Sequence, residues 1–84
     1  MDMFIKLFDV NHKETVFFNK KDIECISVGE SELEAGMFMH NVHVSIKFLS
    51  LDDVNHFTRA IEGLIYKTPN VVVNIKNCNE GEDK

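Results

Sequence analysis

The sequence predicts an α+β domain: a mainly antiparallel sheet of about five strands, in the order β-β-β-β-α-β, with one helix packed on one face. Three observations carry this. Runs rich in Val, Ile and Phe recur between short polar breaks. Residues 42–48 alternate apolar and polar, the pattern of a strand with one buried and one wet face. After Ser50 the apolar spacing changes to that of a helix face.

Residues 3–10 read as the first strand and residues 15–19 as the second. The polar break Asn11, His12, Lys13 and Glu14 suits a hairpin loop between them. Lys20, Lys21 and Asp22 turn the chain into a third strand, residues 23–28, with Ile26 and Val28 on one side and Cys25 on the other. Residues 29–36, bounded by Gly29 and Gly36, are expected to be a break. Residues 37–49 read as one long strand, in which Val42, Val44, Ile46 and Phe48 share a face and His43, Ser45 and Lys47 the other.

Ser50 suits an N-cap, with Asp52 and Asp53 placed to favour the positive end of the helix dipole. Val54, Phe57, Ile61, Leu64 and Ile65 follow at helical spacing, opposite Asn55, Arg59, Glu62 and Tyr66. The helix is expected to stop near Lys67, because Pro69 disfavours helical geometry at Thr68. Gly63 then lies inside it, at a cost of ~1 kcal/mol relative to Ala. Residues 71–75 form a last strand, expected to run parallel to the preceding one after a helical crossover. Residues 1–76 are expected to form a single domain, and residues 77–84 a flexible acidic tail.

A chain of 84 residues buries one core with a thin stability margin. Its 14 Asp and Glu against 9 Lys and Arg give a net charge of −5. All of that excess sits in two places: Glu30, Glu32 and Glu34 in one loop, and Glu80, Glu82 and Asp83 against Lys84 in the tail. The rest of the chain is balanced. Nucleic-acid binding through a basic patch is therefore disfavoured. The first ten residues hold Asp2, Lys6 and Asp9 and do not read as a signal peptide. No apolar run approaches the roughly 18 residues of a membrane helix. The expectation is a cytoplasmic protein with Cys25 and Cys78 reduced, a bridge between them being disfavoured by the polar surroundings of Cys78.

Catalytic signatures are missing from the sequence. His40 and His43 are three apart, which on a strand puts them on opposite faces. His12 and His56 stand alone, apart from an i, i+4 pairing of His56 with Asp52. No zinc-type pair of cysteines or histidines is present. Cys25 reads as a small strand residue of the kind usually buried, with no base beside it. The chain is expected to be no enzyme and to use no cofactor or metal.

Association has more support. Ile5 and Leu7 lie on one face of the first strand, Phe4, Phe8 and Val10 on the other. In the second strand Phe17 opposes Val16 and Phe18. One helix covers one sheet face, so Phe4, Phe8 and Phe17 either form an interface or are enclosed by a strongly curved sheet. The acidic loop is either simply solvated or a contact for a basic partner, with Glu30, Glu32 and Glu34 as charges and Leu33 as an apolar anchor.

The segments Ile5-Lys6-Leu7, Val16-Phe17-Phe18-Asn19 and Ile23-Glu24-Cys25-Ile26 resemble the small flagellar proteins of the FlbD type. The resemblance covers the first 28 residues, about a third of the chain. It does not extend to residues 37–49 or 71–75, and no functional residue is carried over.

The function expected from the sequence is a small non-enzymatic protein-binding module that occupies a basic partner surface through its acidic loop. Its most specific form is a mobile-element inhibitor of the anti-defence or anti-CRISPR type. One alternative is a self-associating structural or regulatory module, FlbD-like in its N-terminal third, with Phe4, Phe8 and Phe17 in a homodimer interface. Another is a small metal- or ligand-binding domain.

Overall fold

Alternation of buried and exposed side chains sets the register of the first hairpin. In β1 (Phe4–Asp9), Ile5, Leu7 and Asp9 are buried while Phe4 and Lys6 are exposed. β2 (Glu14–Asn19) pairs with it antiparallel, placing Phe18 opposite Ile5 and Val16 opposite Leu7 on the core side. Lys13, at φ 56, completes the turn between them. The structure is a computed structural model that describes residues 3–64 and 67–78.

After a short 3-10 turn (Lys20–Asp22), whose N-cap Asn19 accepts from the Lys21 amide, come β3 (Cys25–Gly29), β4 (Glu34–Met39) and β5 (Val42–Phe48). α1 (Leu51–Ile61) and β6 (Asn70–Asn77) complete the chain. The strand order is β2-β1-β6-β5-β4-β3, antiparallel throughout except for β1 against β6. α1 lies on one face, so the fold is α+β as expected, with six strands where about five were predicted.

The extra strand comes from residues 37–49, which are two strands and a turn rather than one strand. His40 and Asn41, at φ 49 and 64, make a two-residue connection with both central residues in the left-handed region. Correspondingly, the break expected over 29–36 shrinks to the four residues between Gly29 and Glu34. β6 also differs from expectation: it is antiparallel to β5 and takes its parallel partner from β1. The connection has the predicted length but is no crossover: it returns the chain at the end of β5 it left, with Val71 opposite Phe48.

α1 begins as the sequence implies. Ser50 Oγ accepts from the Asp53 amide at 3.2 Å and donates to Asp53 Oδ2 at 2.9 Å. Asp53 Oδ1 accepts from the Asn70 amide at 3.1 Å, tying the helix start to β6. Val54, Phe57 and Ala60 are buried against the sheet. The helix ends earlier than predicted, at Ile61. Gly63 is not an interior residue: at φ +86 it follows the last turn, with its amide on Ala60 O and the Leu64 amide on Arg59 O. Leu64 is consequently exposed, while Ile65 and Tyr66, expected on the helix, lie outside the described residues, as does the tail from residue 79.

The core is one cluster: Ile5, Leu7 and Phe18 from the first hairpin, Met37, Val44, Ile46 and Phe48 from β4 and β5, Val71 and Val73 from β6, and Val54 and Phe57 from α1. The sheet curls around that helix. In a flat sheet, strand spacing would separate the edges β2 and β3 by about 24 Å. Yet the Lys20 amide still bonds Met3 O, and the Glu24 amide already bonds Phe38 O. The three residues between them reach at most about 15 Å. Ile5, Ile23, Ile26 and Ile61 accordingly line one cavity of about 300 Å3 where the edges approach. Cys25, expected to be buried, is exposed on the outer side. No described helix is long and apolar enough to cross a membrane.

Candidate functional site

Among the described residues, three places hold side chains that could act on another molecule. The first is the outer surface of the β3–β4–β5 ladder. Ser27 pairs with Gly36 and Gly36 with Ser45, so a residue without a side chain lies between two serines. The result is a cleft of about 400 Å3, walled by Ser27, Glu32, Glu34, His43 and Ser45 together with Val28 and Ala35. A Cβ on Gly36 would stand 3.2 Å from His43 Nε2 and 3.4 Å from Ser27 Oγ.

The acidic loop forms the lip of this cleft. Glu30, Glu32 and Glu34 are exposed, with Glu32 leaning over Gly29. Glu34 Oε2 is 3.5 Å from Lys47 Nζ across the strand pair. Both groups are largely solvated, so the pair contributes about 0–1 kcal/mol at most. Leu33 is half-buried, packs on the core, and its carbonyl accepts from the Phe48 amide at 2.9 Å. The apolar member of the loop therefore anchors it to the body, and the glutamates are its outward part. Sequence reading found these carboxylates but not Ser27, Gly36, His43 or Ser45. Gly36 gave no signal of them, because it reads as the boundary of a break, whereas it lies inside β4, where a glycine marks a close approach or a gap.

The second place is the outer face of the first hairpin. Phe4, Phe8 and Phe17, expected to share a surface, do so: Phe17 lies opposite Lys6, between the two others. Phe4 is 48% and Phe17 59% exposed, and Phe8 is half-buried. The Phe4 and Phe17 rings meet edge to face at 6.4 Å, with Lys6 Nζ 6.0 Å from the Phe17 ring. Curvature of the sheet encloses Ile5, Leu7 and Phe18 but leaves these rings outside. The cleft and this aromatic group occupy opposite halves of the strand order.

The third place is the turn between β1 and β2. Asp9 is the one charged residue in the core of the described residues, 2% exposed. Its Oδ1 accepts from the Asn11 amide at 3.0 Å and its Oδ2 lies 2.7 Å from His12 Nδ1. Strand register places Glu14 directly opposite Asp9. One donor atom from each of Asp9, His12 and Glu14 falls within 4.8 Å of the other two. The His12 contact, more than the backbone amides, holds the Asp9 carboxyl below its ordinary range against the opposing effect of burial. The same contact pushes His12 up. Two other His–carboxylate pairs, His40 with Asp22 and His56 with Asp52, are looser at 3.4 Å. Sequence reading treated His12 as a lone loop residue, because the fold of the turn is what brings it onto Asp9. Compared with known proteins, the chain matches no family model, no curated protein and no solved structure.

Proposed function

We propose that the chain is a small non-enzymatic binding module that takes a basic side chain of a protein partner in the cleft over Gly36. The carrying observation is that the expected acidic loop borders a concavity. Glu32 and Glu34 stand over it, and Ser27, Ser45 and His43 offer hydrogen bonds around the bare backbone of Gly36. A planar guanidinium suits such a site, since it donates to carboxylate and hydroxyl oxygens at once. Occupying a partner's basic groove in this way would make the protein an inhibitor, which is the anti-defence version of the reading.

The test uses an oligo-arginine peptide as probe, followed by fluorescence anisotropy. Binding should weaken with added salt and fall at least tenfold in Glu32→Gln/Glu34→Gln, a loss of about 1.4 kcal/mol or more. Gly36→Ala, which fills the cleft, should weaken it too. Equal affinity in all three proteins overturns the reading.

A second reading rests on a separate observation, the exposure of Phe4 and Phe17 on a face that α1 does not cover. Here the module self-associates through Phe4, Phe8 and Phe17. Sedimentation at micromolar concentration should then show a dimer that Phe17→Ser dissociates. A monomer of 9.7 kDa removes this reading.

A further inference from the structure

We infer that Asp9, His12 and Glu14 form a binding site for a first-row divalent cation at the turn of the first hairpin. One imidazole nitrogen and two carboxylates from separate residues are ligands that Zn2+ and its neighbours accept, leaving at least one position open.

The placement of these donors is set by the backbone. Asp9 and Glu14 are the pair that closes the ladder, and paired residues point to the same side of a sheet. The intervening loop, with Lys13 at φ 56, brings His12 back onto Asp9. A tetrahedral ion with bonds near 2.1 Å holds its ligands about 3.4 Å apart. The three donor atoms are already within 4.8 Å of one another. Seating the ion requires the Asp9–His12 pair, now 2.7 Å apart, to open, and Glu14, whose side chain is exposed, to move in.

Asp9 is what makes this more than a surface cluster. A buried carboxylate is costly unless a cation or several donors face it. Here backbone amides of the turn, Asn11 among them, face it together with His12, whose side chain is 62% exposed and which is charged only when protonated. A divalent ion would neutralise Asp9 regardless of that proton. The Asn11 amide on Oδ1 fixes the carboxylate and leaves Oδ2 toward the ion, the kind of outer contact that orients a metal ligand. Coordination through Nδ1 displaces its proton to Nε2 or to solvent, so the ion replaces the present His12–Asp9 hydrogen bond rather than adding to it.

The experiment is calorimetric titration of tag-free, chelator-stripped protein with Zn2+. One equivalent should bind, and Glu14→Gln and His12→Ala should each weaken binding at least about tenfold, the scale of losing even an outer partner. His40→Ala and His56→Ala should bind as the parent does. Glu14 and His12 are exposed, and circular dichroism will confirm that their variants fold. In the parent, Zn2+ should also shift the His12 ring resonances before those of the other histidines. No binding at millimolar Zn2+ overturns the site. So does undiminished binding in Glu14→Gln and His12→Ala, or its loss in the His40 or His56 variant instead.

Discussion

Asp9 is a carboxylate on the core side of β1, and its stability depends on a proton held by a neighbour. Its pKa is lowered, first by the His12 hydrogen bond, so its contribution is present above the ordinary 3.8 and is lost as pH falls through the lower folded value. The His12 pKa is raised, first by the Asp9 hydrogen bond, so its contribution is present below the ordinary 6.5 and is lost as pH rises through the higher folded value. The pair therefore stabilises most between these limits. Urea unfolding in metal-free buffer across that range should show the decline on the alkaline side, and His12→Ala should flatten it. An identical profile in the variant would refute the coupling. Gly63 is the second residue with a defined cost. Nothing lies within 4 Å of a Cβ there, so Gly63→Ala tests the backbone alone at φ +86. It should lower unfolding stability by about 1 kcal/mol, and a neutral result would contradict the left-handed geometry.

Among the elements, α1 was the most legible in the sequence, because a cap and a helical apolar period agree there. Ser50→Ala should cost about 1 kcal/mol in urea unfolding. Asp53→Ala should cost more, since Asp53 serves both the cap and the Asn70 amide. The face of β5 was equally legible, with Val44, Ile46 and Phe48 buried as the alternation implied. The turn at His40 and Asn41 was not. It lies in a run without Gly or Pro, and its left-handed backbone leaves no mark on the apolar pattern. The end of α1 was hidden for a related reason: Pro69 is a stop signal visible from far off, whereas Gly63 signals a stop only once its φ is known. The direction of β6 was illegible, although its neighbour β5 was the one expected, because strand composition does not specify at which end of the sheet a helical connection returns. The same limit explains the cleft and the Asp9 cluster, both made by register between strands rather than by neighbours in sequence.

For the molecule as a whole, a single core means that no part is held independently. Phe57 is fully buried and its ring lies 5.3 Å from that of Phe48, linking α1 to β5. Phe57→Ala should cost about 3–5 kcal/mol, a large share of the 5–15 kcal/mol typical of folded domains. A thermal melt should show one transition, shifted far down or lost, and two separate transitions would contradict a single core. Curvature also sorts the surface. The acidic cleft and the aromatic group share no residue and lie in opposite halves of the strand order, so binding of a basic partner and self-association are separable by mutation.

The position of β6 has a consequence for how the chain acquires this shape. The strand lies between β1 and β5, so the middle of the sheet is the last of its strands to be synthesised. Until it emerges, the β1–β2 hairpin and the β3–β4–β5 meander have no ladder between them, and α1 alone can bridge their core sides. Their union waits for contacts far apart in sequence, the kind that slow folding. Translation thus delivers two waiting halves, and its last strand acts as the key that joins them.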